Sequence, residues 1–153
     1  MEEEYLNLLR HFHAEGVEYA VVGGYAVIVH GFPRTTGDLD ILVRPIEANA
    51  RRVVRALERF GYAQGEFAEV DFTTIPNFIS FNSGGVWVDL MTQVLGVSFE
   101  EVAAGALEMT FGDVPVRYIG LTALRATKAA TGRPQDLRDL ENLPPGPNTA
   151  PGT

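Results

Sequence analysis

Two aspartates one residue apart, in the segment Asp38-Leu39-Asp40, have the spacing that most clearly indicates chemistry. Side chains alternate along a β-strand, so both carboxylates should point to one face of a sheet while Leu39 points to the other. Two carboxylates on one face are costly unless water or a cation neutralises them. The apolar residues 41–43 predict a strand in the sheet interior, where a divalent metal is the natural counter-charge.

A third carboxylate, Asp89, lies in a strand-like segment of similar character, residues 86–91. Three aspartates on adjacent strands could hold two Mg²⁺ ions ~3.5–4 Å apart, or Mn²⁺ in their place. Such a pair of ions activates an attacking oxygen and stabilises a leaving phosphate. A solvated strand end is the plainer interpretation of Asp38 and Asp40, and surface exposure or a cap is that of Asp89. Together they indicate metal-assisted chemistry on phosphate.

A glycine pair, Gly23-Gly24, follows an apolar strand and precedes a short helical run. A glycine turn that opens a helix can present backbone N–H groups to phosphate, because no side chain blocks the approach. Lys128 is the only lysine in the chain. Apart from the N-terminus, it alone can supply an amine to a phosphate. An ordinary tight turn and a lysine on an exposed helix face remain the alternatives for these two features.

Hydrophobic periodicity predicts the helices and strands that would position these residues. Helices are expected over residues 2–14, 25–30, 46–60, 99–106, 122–130 and 134–142. Strands are expected over residues 17–22, 38–43, 77–81, 86–91, 107–111 and 114–119, with at most one more in residues 62–75. Pro115 suggests an edge strand, because proline cannot donate to a ladder. Helices mixed with short strands and hairpins predict an α+β or mixed α/β fold.

The composition is that of an acidic globular protein. With 153 residues and 46% hydrophobic content, the chain suggests one domain over residues 1–143, followed by a disordered Pro- and Gly-rich tail over 144–153. A net charge of −8 weakens the case for general nucleic-acid binding. The absence of cysteine restricts a metal site to Asp, Glu or His. No apolar run approaches the ~20 residues of a membrane span, so we expect a cytoplasmic protein without a membrane partner.

The order and spacing of these motifs resemble those of a known superfamily. Gly23-Gly24 is followed by thirteen residues and then by Asp38-Leu39-Asp40, which resembles the signature of the DNA polymerase β-like nucleotidyltransferase superfamily. Residues 23–43 are similar to its small prokaryotic branch, the AbiEii-like toxins and minimal nucleotidyltransferases of toxin–antitoxin systems. Residues 121–140 resemble the same branch, although Gln135 stands where many relatives have lysine.

The resemblance implies a polymerase β-like core, a short mixed sheet flanked by helices. It implies Mg²⁺-dependent transfer of a nucleoside monophosphate from an NTP to a hydroxyl of RNA or protein. A toxin–antitoxin or phage-defence system, with a cognate toxin or antitoxin partner, would be the setting. By the same resemblance, metal binding and catalysis are assigned to Asp38, Asp40 and Asp89. Nucleotide binding is assigned to Gly23, Gly24, Arg34, Thr35 and Lys128.

Two other functions stay open. The fold could serve as a catalytically silent binding or antitoxin module, or the aspartates and Mg²⁺ could activate water, as in a phosphohydrolase. Near the C-terminus, Asp136 and Asp139 are interpreted as structural, capping a helix or pairing with Arg133 or Arg138.

Overall fold

Six strands form one mixed sheet in the computed structural model, which describes residues 1–146. The strands are β1 (Tyr19–Val22), β2 (Asp38–Val43), β3 (Phe78–Ser83), β4 (Val86–Met91), β5 (Leu107–Phe111) and β6 (Val114–Tyr118). Their spatial order is β3-β4-β2-β1-β6-β5. Strands β2 and β4 run parallel, as do β1 and β6, while the other neighbours are antiparallel. The fold is therefore α+β with a mixed sheet, as predicted.

Six α-helices and one 3-10 helix, Glu69–Phe72, surround this sheet in the described part of the chain. The α-helices are α1 (Glu3–Ala14), α2 (Gly23–Val29), α3 (Glu47–Phe60), α4 (Phe99–Ala104), α5 (Leu121–Thr131) and α6 (Pro134–Asn142). Gly132 ends α5 with a left-handed backbone, and Pro134 begins α6, where a missing N–H costs little. None of the helices formed by residues 1–146 combines the length and the apolarity that crossing a bilayer requires.

The face of the sheet opposite the aspartates carries a large part of the core. Phe12 of α1 packs edge-on against Tyr19 of β1, with ring centroids 5.7 Å apart. Phe81 of β3 makes edge contacts with Tyr62 and Phe67, which follow α3. The side chains that alternate with the aspartates are buried on this face, namely Leu39, Ile41, Val88 and Leu90. This packing fixes the strands, so the aspartate face is built on a rigid sheet.

Several predicted bounds are confirmed by the structure, and one placement is wrong. Strands 38–43 and 86–91 and helix 134–142 have the predicted limits, and residues 62–75 contain the 3-10 helix and no strand, in agreement with the prediction of at most one. The strand with Pro115 is not at the edge, because β6 lies between β1 and β5. Its register with β1 is confined to Val21 and Tyr118. Pro115 lies beyond that contact, so its missing N–H removes no bond to β1.

The C-terminal segment is described only as far as residue 146. Leu143, which follows α6, is buried. The carbonyl of Pro144 accepts a hydrogen bond from Arg125 Nη1 at 3.2 Å. Residues 147–153 of the predicted tail lie outside the described residues.

Candidate functional site

The strands that carry the aspartates are direct neighbours. The parallel register of β2 and β4 pairs Asp40 with Asp89 and Asp38 with Trp87. Paired residues of neighbouring strands project to the same face, so the Asp40 and Asp89 carboxylates lie side by side. Asp89 is 8% exposed and accepts a hydrogen bond from Ser80 Oγ at 2.6 Å. The sheet thus brings together the aspartates that the sequence suggested.

Asp40 has the most strongly perturbed carboxyl group on this face. Burial raises its pKa, and a hydrogen bond with Asp89 and the negative charges of Asp89 and Asp38 raise it further, whereas Lys128 opposes them. The pKa of Asp40 rises from 3.8 to about 7. At neutral pH the Asp40–Asp89 pair therefore retains a proton for much of the time, which relieves the repulsion between the two carboxylates.

The aspartates fit a hard cation by their chemistry more than by their present arrangement. Within residues 1–146, no group of three or more His, Asp and Glu side chains is arranged to hold a metal ion. Asp38 shares the face with Asp40 and Asp89 but lies in the exposed first position of β2. Carboxylate oxygens are the ligands that Mg²⁺ prefers. The raised pKa of Asp40 also marks a place where a positive charge would be stabilising.

Gly23 and Gly24 make room for side chains of the protein itself. Gly23 has φ +68°, and a Cβ there would overlap Asp40 Oδ2 and lie 3.0 Å from Asp40 Cγ. At Gly24 a Cβ would overlap the Thr36 hydroxyl and lie 2.7 Å from Thr36 Cβ. Helix α2 begins at Gly23 itself, two residues before the predicted start. The glycine pair thus allows the turn to approach the aspartate of β2.

Lys128 is buried, so it does not lie on an exposed helix face. Its Nζ is 3.2 Å from Asp136 Oδ1 and 3.0 Å from Asp139 Oδ2, and the two aspartate side chains are 1% and 0% exposed. Burial alone would raise the pKa of both aspartates. Hydrogen bonds reverse this, first from Arg133 to Asp136 and from Gln135 to Asp139 and then from Lys128 to both, so the pKa of Asp136 is well below its usual range and that of Asp139 is lowered.

Arg34 joins the loop before β2 to α6. Its Nε and Nη2 donate to Asp139 at 2.9 and 3.1 Å, and its Nη1 donates to the carbonyl of the exposed Thr35 at 3.0 Å. Asp139 therefore pairs with Arg34 and Lys128, and the predicted pairing with Arg133 or Arg138 is wrong for this residue. The reason is that α6 turns Asp139 toward α5 and the loop.

Asp136 and Arg133 form the pair that the sequence suggested. Arg133 Nε donates to Asp136 Oδ2 at 2.8 Å, while its side chain stays 74% exposed. The Asp136 carboxylate also accepts from the backbone N–H of Arg133, which caps the start of α6. Arg133 is thus a largely exposed cation beside the buried Lys128.

Two adjoining cavities, of ≈ 220 and ≈ 290 Å³, open beside Asp40. Both are lined by Gly23, Asp40, Lys128, Arg133 and Asp136. Seven of the eight predicted site residues line the larger one: Gly23, Gly24, Arg34, Thr35, Asp38, Asp40 and Lys128. Asp89, paired with Asp40 through the sheet, is not in that lining. Together these cavities form what we call the β2–α6 cleft.

Sequence reasoning missed several residues of this site. Thr36 and Gln135 line the β2–α6 cleft, and Ser80 hydrogen-bonds Asp89. Polar residues of this kind have no distinctive local pattern, and Ser80 is found only once the register of β3 against β4 is known. The sequence marks Gln135 only as a departure from the motif of similar proteins, whereas in the structure its Nε2 donates to Asp139 Oδ1 at 2.8 Å.

Comparison with known proteins gives a fold but no family. No protein-family model matches the sequence, and no curated protein matches it. The chain superposes on TM1012 of Thermotoga maritima, a candidate nucleotidyltransferase, with a TM-score of 0.63 over 92% of each chain at 17% identity. It also superposes on the lincosamide antibiotic adenylyltransferase LnuA, solved with lincomycin bound, with a TM-score of 0.60 at 19% identity. That match covers 93% of this chain and 95% of LnuA.

The fold is therefore that of nucleotidyltransferases, and the predicted fold class is confirmed. Neither neighbour is described as AbiEii-like, so that finer assignment stays a prediction.

Proposed function

We propose that this protein is a nucleotidyltransferase that moves a nucleoside monophosphate from an NTP to an acceptor hydroxyl and releases pyrophosphate. The observation that carries the proposal is the pairing of Asp40 with Asp89 in register, beside a cleft that Lys128 and Arg133 also line. Phosphoryl transfer needs positioning and charge stabilisation far more than covalent chemistry. Carboxylates for a metal next to cations for phosphates supply both.

Asp38, Asp40 and Asp89 are the residues that would hold Mg²⁺, or Mn²⁺ in its place, with two ions expected. When bound, the metal would neutralise phosphate charge and lower the pKa of the attacking hydroxyl. The Ser80 hydrogen bond holds the Asp89 carboxylate in one orientation. Asp89 is then suited to accept the proton of the acceptor hydroxyl.

The nucleotide phosphates would bind in the β2–α6 cleft. Gly23, Gly24, Arg34, Thr35 and Lys128 are the proposed nucleotide-binding residues. Lys128 and Arg34 are both held by Asp139, so they would act from fixed positions. We add Arg133 to this group, because its largely exposed side chain lines both cavities of the cleft.

The acceptor and the setting are finer parts of the proposal. The motif resemblance favours RNA or protein acceptors and a toxin–antitoxin or phage-defence system with a cognate partner protein. LnuA contains bound lincomycin, which adds a small molecule as an acceptor class for this chain.

Nucleotidyl transfer can be tested with α-labelled NTPs, Mg²⁺ and a cellular extract that supplies RNA, protein and small molecules. We expect label to become attached to an acceptor and pyrophosphate to appear. Asp40→Asn should reduce transfer to below about 1% of wild type, on the scale seen when one group that stabilises a transition state is lost.

Asp113→Asn is the matched control, because Asp113 is an exposed aspartate in the β5–β6 turn, away from the cleft. Its transfer rate should equal that of wild type. Release of free labelled NMP without attachment would favour a phosphohydrolase, and failure to bind Mg·ATP at millimolar concentration would favour the silent binding module. Full transfer by Asp40→Asn would contradict the assignment of the site.

A further inference from the structure

The aspartate face of the sheet continues onto two exposed aromatic side chains. Trp87 of β4 is 48% exposed and Phe78 of β3 is 60% exposed. Trp87 pairs with Asp38 on one side and Asn82 on the other, while Phe78 lies opposite Met91. By strand alternation, both rings point to the same face as Asp89 and lie on either side of it along the strands.

We call this surface the β3–β4 face and define it by Phe78, Ser80, Asn82 and Trp87. The three residues from β3 are exposed, although Ser80 reaches inward to Asp89. The surface therefore combines aromatic area with polar groups, next to the proposed reaction centre. An exposed aromatic ring beside a cleft offers a flat apolar face on which a ligand can stack.

The backbone beneath the β3–β4 face is firmly held. On the core side Val88 and Leu90 are 1% exposed each, and Phe81 packs against Tyr62. The Tyr5 hydroxyl donates to the carbonyl of Trp87 at 2.9 Å. The exposure of Trp87 is thus a property of an ordered strand.

The charge of this part of the chain decides which ligand suits the surface. Strands β3 and β4 with the turn between them, residues 78–91, contain one acidic residue, Asp89, and no lysine, arginine or histidine. Asp38 is exposed beside Trp87. Phosphate-rich acceptors depend on cationic contacts, which these strands cannot provide. An aromatic ring next to a carboxylate instead suits a cation.

We infer that the β3–β4 face binds the acceptor, and that the acceptor is a small, positively charged molecule with a hydroxyl group. The inference rests on the proposed nucleotidyl transfer. The acceptor oxygen would form a bond to the α-phosphorus while the bond from that phosphorus to the bridging oxygen breaks. Pyrophosphate leaves with the bond electrons, and the hydroxyl proton passes to Asp89. Trp87 and Phe78 would position the acceptor and select its charge.

Trp87 is the only tryptophan in the chain, so its fluorescence reports on this surface without any turnover. The test is a titration of the full chain with Mg²⁺ and three probes that share a phenol and differ in charge: tyramine, tyrosol and p-hydroxyphenylacetate. Tyramine should change the fluorescence and bind at least about threefold more tightly than neutral tyrosol, with the anion weakest. An RNA oligonucleotide should leave the signal unchanged. Equal binding of the anion, a response to RNA, or no response to tyramine would overturn the inference.

Variants of Trp87 test ligand binding at the β3–β4 face independently of nucleotidyl transfer. By calorimetry, Trp87→Ala should weaken tyramine binding about tenfold and Trp87→Phe should restore most of it, because the aromatic face is kept. Leu107→Ala is the matched control, since Leu107 is 39% exposed on the opposite edge strand. Mg·ATP binding should be unchanged in all three.

The inference and the proposed function can fail separately. Selective tyramine binding without any transfer of label would support cation binding at the β3–β4 face and refute the proposed nucleotidyl transfer. Transfer of label with the same KM for the acceptor in wild type and Trp87→Ala would support nucleotidyl transfer and refute acceptor binding at the β3–β4 face.

Discussion

Asp40 holds a proton at a pH where an exposed aspartate would be fully ionised. Burial, followed by the influence of Asp89 and Asp38, raises its pKa to about 7. A raised pKa in the folded state stabilises the fold below the unfolded value of 3.8, and this contribution is lost as the pH rises through about 7. Without a cation, ionisation of Asp40 therefore destabilises the protein at neutral and alkaline pH.

This linkage predicts that Asp40→Asn stabilises the metal-free protein. In EDTA at pH 8, the free energy of unfolding should rise by roughly 1–4 kcal/mol, because asparagine can occupy the site without charge. The gain should shrink as the pH falls and vanish near the unfolded pKa of 3.8. Urea unfolding across this pH range measures it. A variant less stable than wild type at pH 8 would contradict the assigned cause.

Gly23 allows a second test at the scale of one residue. Gly23→Ala should destabilise the protein by more than about 2 kcal/mol, because a left-handed backbone is strained for alanine and its Cβ would overlap the Asp40 carboxylate. Gly16→Ala is a matched control, since Gly16 has φ +71° and no atom within 4 Å of a Cβ. Chemical unfolding of both variants separates backbone strain from overlap. Equal losses would mean that the approach of Asp40 does not require glycine.

Helix α6 determines where the cations of the β2–α6 cleft lie. Its two buried aspartates bind Lys128 of α5. Asp139 also accepts two hydrogen bonds from Arg34, which lies in the loop before β2. Buried ion pairs are weak evidence for stability, but removal of one member leaves an uncompensated charge. The role of α6 is thus to fix two other chain segments, α5 and the loop before β2, around the site.

Asp139→Asn should accordingly destabilise the protein by about 2–4 kcal/mol, because Arg34 loses its two-point partner and Lys128 loses one of two. Hydrogen exchange should show faster exchange in α6. Leu137→Ala is the control on the same helix, since Leu137 is 50% exposed. Because the pKa of Asp139 is lowered in the fold, its stabilisation exists above the unfolded pKa and is lost as the pH falls through the folded one. The difference between Asp139→Asn and wild type should therefore shrink in acid.

Across the whole molecule, the sequence predicts what alternation and helix signals encode locally. The bounds of β2 follow from the alternation in Asp38-Leu39-Asp40, and those of β4 from the apolar residues around Asp89. Pro134 predicts the start of α6. Side-chain partners distant in sequence are not encoded in this way. Arg34 and Asp139 are 105 residues apart, and only the packing of α6 shows that they meet.

The position of β6 was missed for a similar reason. Proline is excluded from a ladder only where a neighbour needs its N–H, and the short reach of β1 against β6 cannot be read from either strand alone. Strand type is a local property, whereas strand order depends on the whole sheet.

The parallel register of β2 and β4 also affects when the site can exist. Asp40 and Asp89 are 49 residues apart in sequence and meet only after the β3–β4 hairpin has docked beside β2. Closing such a loop costs conformational entropy before any stabilising contact forms. Pairings of this kind therefore form slowly compared with local hairpins and helices. A chain emerging from the ribosome, or one opened locally at the hairpin, therefore lacks the paired carboxylates. The proposed site becomes complete only with the sheet, so a partly folded chain lacks the paired carboxylates that the proposed transfer needs.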